Sequence, residues 1–409
     1  MKQLIYSVYV ILPVLLLWGA KFSKGKEFND GFLSLEQTKA FQGFLAICIM
    51  LHHIAQKTCA SWIKPAGRIV HGLDIFVDMG FLLVSVFLFF NGYGVYKSFH
   101  SKDNYLKGYF KKRILPVILA LYTTTIIFFI ARLLVGQKMD TTEKILYLTS
   151  IKLCNPNTWY VIVLPFFYLF FYISFRFIKK DGLAVAATTA LVIGYMLLGT
   201  RINHNDYWIR GEWWYNCVIL FPVGIIFAKF ENKIIPFVKK HYWAILVLFL
   251  VAYYPIRIAT RNIGNMFGYY GEGWLPQNVI VMNRRITLLG HSILCTWFVM
   301  CWLLLGMKVK IGNKFLKFMG TITLEFYLIH GLFVELFGWQ FDGGVPSPHH
   351  IKYVIVYVLV VFALGVPSAI LLQNIHNLIL GKKSKYKLID FNIISLVNNK
   401  SNNKADKTA

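Results

Sequence analysis

The chain has 409 residues, of which 57% are hydrophobic and only 15% charged, and its mean hydropathy is +0.56. So little charge excludes an ordinary soluble domain, where about a quarter of residues are charged. The formal net charge of +25 does not point to nucleic acid, because the basic residues lie between apolar runs and not on one polar face.

Apolar runs of roughly 18 residues or more are long enough to cross about 30 Å of hydrocarbon as helix. They predict eleven spans, at about 4–20, 40–56, 74–96, 114–135, 158–178, 182–200, 213–230, 241–258, 286–306, 318–340 and 351–380. The runs are continuous and do not alternate, which excludes a β-barrel. The expected fold is all-α and polytopic, with a ten-helix core and one additional N-terminal span. Three regions follow: 1–36 (an N-terminal span and basic loop), 37–380 (the membrane domain) and 381–409 (a polar, basic, disordered cytoplasmic tail).

Residues 1–20 read as a retained signal anchor, since "LLLWGAKFSKGKEF" offers no small-residue cleavage site and three lysines follow the apolar run. Placing the N-terminus outside puts 28 Lys and Arg in cytoplasmic segments against 13 in outer ones. That bias follows the positive-inside rule, so the C-terminus is expected in the cytoplasm of a multi-pass cell-membrane protein. The six cysteines are scattered, mostly in apolar runs, and no Cys/His set has metal-ligand spacing. Buried thiols are the simpler reading, and no metal or bound cofactor is expected.

The second span holds "FLAICIMLHHIAQ", residues 44–56. Ionisable groups inside a membrane are costly and are functional candidates by default. His52 and His53 point about 100° apart, so one of them can face a given pocket. His53 lies about 21 Å along the helix from Lys39, in the outer half of the bilayer. A neutral imidazole there has the equipment of a general base.

The third span carries "FLFFNGYGVYKS", where Asn91, Gly92 and Gly94 permit close helix contact or a break. The segment "YLKGYFKKRILP" then gathers Lys107, Lys111, Lys112 and Arg113 at one cytoplasmic edge. This cluster reads as topogenic, as a lipid-phosphate contact, or as a holder for the phosphates of a nucleotide-bearing donor. Trp159 and Tyr160 open the next span at the outer interface, and Pro165 implies a kink inside it. The outer loop at 257–285 contains "GNMFGYYGEGWLPQ", which suits either a sugar-stacking platform or an interfacial anchor. In "GTITLEFYLIHGLFVELF", His330 lies about 18 Å from Phe318, a depth matching that of His53. Tyr327 shares its face, and Glu325 is about 140° round the helix. Each histidine serves either chemistry or a hydrogen bond between helices.

These segments occur in an order that resembles the acyltransferase-3 family of integral-membrane acyltransferases, over roughly residues 37–380. The family's R-x10-H helix is matched by "QGFLAICIMLHH", with Gln42 in the arginine place and His53 as the histidine. "FLFFNGYG" matches FFxxSGY, with Asn91 where serine is usual. Arg113-Ile114-Leu115-Pro116 matches R-I-x-P, Trp159-Tyr160 matches W-[FY], and "ITLEFYLIH" supplies Thr323, Tyr327 and His330.

The resemblance implies transfer of an acyl group, usually acetyl from acetyl-CoA as donor substrate, to a hydroxyl of a carbohydrate or lipid-linked glycan acceptor outside. On that basis His53 is the expected base, with His330 as a second catalytic histidine lining the same chamber. Arg113, Lys112, Lys111, Lys39 and Gln42 are expected on the donor, and His52, Asn91, Trp159, Glu325 and Tyr327 in the pocket. Gln42 lacks the charge of the family arginine, which Lys39 at i−3 is placed to replace. Membrane lipid and the glycan are the expected partners. The competing readings are a glycan-precursor transporter or flippase, which would often show internal repeats, and a glycan polymerase, which would need a larger outer loop.

Overall fold

Backbone polar groups in lipid must bond internally, and this apolar chain satisfies them almost entirely as helix. The computed structural model describes residues 2–60, 71–202, 214–267 and 275–382, and 75% of it is helical. In chain order the α-helices are α1 (Val8–Leu17), α2 (Leu35–Thr58), α3 (Gly80–Ser101), α4 (Leu115–Leu134), α5 (Thr141–Leu148), α6 (Trp159–Phe177) and α7 (Asp181–Gly199). There follow α8 (Leu220–Lys240), α9 (Tyr242–Phe267), α10 (Gln277–Gly306), α11 (Lys314–Thr321), α12 (Thr323–Phe337) and α13 (Val354–Ile379). The tail from 383 and residues 268–274 of the aromatic outer loop lie outside the described residues.

Among the described residues eight helices are long and apolar enough to cross a membrane: α2, α3, α4 with the turn before it, α6, α7, α9, α10 and α13. A ninth span forms if α11 and α12, bent by 82°, are taken together. The two other expected spans fall on the shorter apolar helix Gln3–Leu17 and on α8, whose second half carries Lys229, Glu231, Lys233, Lys239 and Lys240. The first helical segment is nevertheless fastened at both ends. Ile5 packs under Gly72 and Tyr9 stacks on Phe76 at 6.1 Å, beside the His52 end of α2. At the other end Leu15 O accepts from Asn313 Nδ2, and Lys21–Phe22 pairs antiparallel with Val309–Lys310.

Ser34 caps α2, and Asn313 caps α11 by accepting from the Phe315 and Leu316 amides. Gly43 and Gly320 let α11 lie on α2, since a Cβ at Gly320 would stand 2.0 Å from Lys39 O. The bend after α11 frees the Thr321 carbonyl, and Gln373 of α13 donates to it at 2.5 Å. That bend turns α12 into the bundle with His330 on its buried face. Neither Gly92 nor Gly94 breaks α3, which is continuous through Asn91–Gly94, and Gly92 serves close contact. Gly92 and Gly224 form its crossing with α8, where added Cβ atoms would stand 1.9 Å from Phe221 O and 2.1 Å from Phe89 O. Pro165 lies within an unbroken α6.

Candidate active site

The two histidines at matched depth meet. His53 Nδ1 and His330 Nε2 are 2.7 Å apart, and the rings are nearly parallel with centroids 5.0 Å apart. His330 is fully buried, whereas His53 retains 8% exposure. His330 Nδ1 lies 2.7 Å from Phe326 O, and a carbonyl only accepts, so this nitrogen carries the proton. The neutral ring then presents a bare Nε2, so the proton between the rings sits on His53 Nδ1. His53 Nε2 is left with its lone pair and makes no hydrogen bond among the described residues. One main-chain carbonyl thus sets two tautomers and leaves a bare nitrogen on the more exposed ring. Such a nitrogen can take a proton from a hydroxyl.

His52 turns the other way. Its Nδ1–H donates to Phe76 O at 2.7 Å, and its Nε2 fills the space where a Gly80 side chain would be. It thereby ties the start of α3 to α2, with its ring 5.1 Å from that of His53.

A line of polar side chains leads away from the pair. Tyr327 lies 6.4 Å from His53 between centroids, and Tyr160 meets Tyr327 edge-on at 5.7 Å. Asn91 Nδ2 donates to the Tyr160 hydroxyl at 2.6 Å, while Tyr168 O–H donates to Asn91 Oδ1 at 2.5 Å. Tyr168 in turn lies beside Arg113, whose Nη2 donates to Ser98 Oγ at 3.2 Å. Along α3 from Gly80 to Ser98 this arrangement extends about 27 Å at 1.5 Å per residue. Trp159 is buried next to Tyr160, with centroids 6.3 Å apart.

At the Arg113 end, Phe110–Ile114 forms a π-helical turn. Arg113 is half-buried and faces the Tyr105 ring at 5.7 Å, whereas Lys111 and Lys112 are exposed. Tyr105 also lines a cleft of about 910 Å³ with His100, Lys102, Lys107, Tyr172 and Arg176. Lys39 and Gln42 are half-buried on α2, where neighbouring Gln37 grips the Ile311 main chain through both its amide atoms at 3.0 and 2.8 Å.

Glu325 is not brought to the histidine pair. Its Oε1 lies 3.2 Å from His376 Nδ1, and His376 Nε2 is 2.7 Å from Thr123 Oγ1, so the carboxylate joins α12 to α13 and α4.

Several residues that sequence reasoning passed over frame the site. Asn155 Nδ2 donates to Leu328 O at 2.8 Å, and Asn157 packs against Gly331, which staples the start of α6 to α12 beside His330. The motif "NPNTWY" carried a signal for this, because polar amides at the head of a span need partners. Lys57 pairs with Glu335 at 2.8 Å, and that carboxylate also accepts from the Asp342 amide. Arg132 is wholly buried and bonds Cys154 O, Gln137 and Asp342. Among the described residues no cluster of His, Cys, Asp or Glu is arranged to hold a metal ion.

A bundle of apolar helices with a buried, tautomer-fixed histidine pair defines a helical membrane protein with a candidate acid–base centre. A family model described as an acyltransferase domain matches residues 39–373, and the chain belongs to that family, acyltransferase-3. Neither the curated proteins nor the solved structures yielded a match.

Proposed function

We propose that the protein moves an acyl group, acetyl in the first instance, from an acyl-CoA in the cytoplasm to a hydroxyl of a cell-surface polysaccharide or lipid-linked glycan precursor. The observation that carries this reading is the bare His53 Nε2, held by His330 and Phe326 O, in a chain of the acyltransferase-3 family. In this reading His53 takes the acceptor's proton and His330 steadies the imidazolium through its Nε2 lone pair. The acceptor oxygen then bonds to the thioester carbon, and the C–S bond breaks with its electron pair on sulfur. The proton held by His53 passes to the thiolate, so the products are an ester and free CoA.

The donor enters from the opposite end. Lys102, Lys107 and Arg176 of the cleft, with Arg113 behind Tyr105, supply positive charge for phosphates, and Tyr105 and Tyr172 offer ring faces for a base. Lys111 and Lys112, being exposed, act through long-range attraction. Lys39 and Gln42 stand on the same end of α2. The positive-inside bias puts this end in the cytoplasm, with the N-terminus outside and the C-terminus inside.

Proton NMR of glycan O-acetylation tests the reading in cells carrying the intact gene, a deletion, and His53→Ala verified at normal membrane level. Loss of acetyl signal in both altered strains is the expected result. Unchanged acetylation in the deletion strain would refute the reading.

A further inference from the structure

The direction of the hydrogen bonds around Asn91 determines where the Tyr160 proton goes. Asn91 Nδ2 lies 2.8 Å from Phe87 O. A carbonyl accepts only, so this atom is the amide nitrogen and its partner Oδ1 is the acceptor facing Tyr168. The second N–H of the amide points at the Tyr160 oxygen, 2.6 Å away. Tyr160 is therefore an acceptor towards Asn91 and must direct its own O–H elsewhere. No acceptor for it exists among the described residues. The ring is buried, stands edge-on to Tyr327, and starts the helix that Asn155 fastens to the His330 helix. A hydroxyl whose proton has no protein partner in a buried site is a donor awaiting an acceptor.

Resting on the acyltransferase reading, we infer that Tyr160 is the oxyanion donor of the transfer, with Asn91 as the positioning residue that aims it. When the acceptor oxygen bonds to the thioester carbon, the carbonyl π pair moves onto oxygen and the Tyr160 O–H hydrogen-bonds to that oxyanion. Collapse returns the pair to the carbonyl and expels the thiolate. Tyr160 keeps its proton throughout, and His53 carries the one proton that moves, from acceptor to sulfur. An accepted bond from Asn91 polarises the hydroxyl and makes it a better donor.

The test compares wild type, Tyr160→Phe, Asn91→Ala and the double variant, each at measured membrane level. The readouts are O-acetyl transfer in cells and binding of acetyl-CoA to the purified full chain. Tyr160→Phe should lower transfer by about 100-fold, the usual loss for one oxyanion donor, with acetyl-CoA binding unchanged. Asn91→Ala should lower it about tenfold in the wild-type background and not at all in the Tyr160→Phe background, since both act through one hydroxyl. Full transfer by Tyr160→Phe, or an Asn91→Ala cost that persists in the double variant, would overturn the inference while leaving the transferase intact. Absence of O-acetyl transfer in wild type would remove the acyltransferase reading and this inference together.

Discussion

His330 holds His53 through a 2.7 Å hydrogen bond between rings only 8° from parallel. The bond also selects which nitrogen of His53 stays bare, because His330 is itself committed to Phe326 O. The two histidines therefore have unequal roles, and their substitutions should differ. His53→Ala removes the base and should cost 10²–10⁴-fold in transfer, the usual range for acid–base catalysis. His330→Phe leaves His53 in place with an unset tautomer and should cost less. His330→Phe added to His53→Ala should cost little more, since the two act as a unit. O-acetyl quantification by NMR at matched protein level checks all three, and equal additive losses would contradict the coupling.

Arg113 and its lysine neighbours should also separate. Arg113 is half-buried against Tyr105 and Ser98, whereas Lys111 and Lys112 are exposed. Arg113→Ala should raise the KM for acetyl-CoA about tenfold, equivalent to roughly 1.4 kcal/mol, with kcat little changed. Lys111→Ala with Lys112→Ala should act weakly and only at low salt, because exposed charges are screened. Steady-state kinetics at two ionic strengths distinguishes these outcomes.

The depth of His53 was legible in the sequence because helical rise is constant along the unbroken α2. The expected straight rise of about 18 Å from Phe318 to His330 does not exist, since Phe318 lies on α11, before the bend, so counting placed only one of the two rings. Their contact, and the opposite heading of His52, required the packing angle of α12, which the 82° bend sets. That bend leaves only weak marks at Gly320 and Ile322. Glu325 shows the limit of reading one helix alone. The resemblance put it in the pocket although it stands about 140° round the helix from His330, and its partner, His376, comes from α13. Asn91 was visible as a departure from serine, whereas its two tyrosine partners were not, since Tyr168 lies two turns below Tyr160 on another helix. The Gly92 and Gly94 pair permitted either contact or breakage, and only the approach of α8 decides for contact at Gly92.

Glycine at that crossing should be indispensable. A Cβ at Gly224 would stand 2.1 Å from Phe89 O and 2.9 Å from the Tyr93 amide, main-chain atoms that cannot yield. Gly224→Leu should therefore abolish accumulation in the membrane, as overpacking costs typically 1–3 kcal/mol or more. Gly194→Leu is the control, having nothing within 4 Å, and should leave levels normal. Immunoblotting of membranes after a heat challenge reads both.

Glu325 should behave as a structural group. Glu325→Gln keeps an oxygen to accept from His376, so fold and transfer should survive. Glu325→Leu leaves a buried imidazole without that partner and should destabilise by roughly 1–3 kcal/mol. A lower melting temperature with normal transfer per folded molecule is the expected result. Loss of transfer in Glu325→Gln at full membrane level would instead place the carboxylate in the chemistry.

Arg132 should control the loop that carries Asn155 to α12. Its guanidinium donates to Cys154 O at 2.9 and 2.6 Å and to Asp342 Oδ2 at 2.6 Å. It also lies over the Tyr147 ring at 4.7 Å. Burial pushes the neighbouring Cys154 thiol up to about 11, so at pH 7.5 almost none of it is thiolate, and the native protein should resist maleimide there. Raising the pH towards that value increases the thiolate, the reactive form, and labelling should rise with it. Arg132→Met removes every one of those bonds, together with that to Asp342 O at 3.0 Å, and so takes this donor from the Cys154 and Asp342 carbonyls and from the Asp342 carboxylate, which should free the loop. Cys154 should then label at pH 7.5, as peptide mass spectrometry would show, and transfer should fall because Asn155 no longer fixes the start of α6, and with it Tyr160, against the His330 helix. Protection of Cys154 in Arg132→Met would mean that the loop is held by its apolar contacts alone.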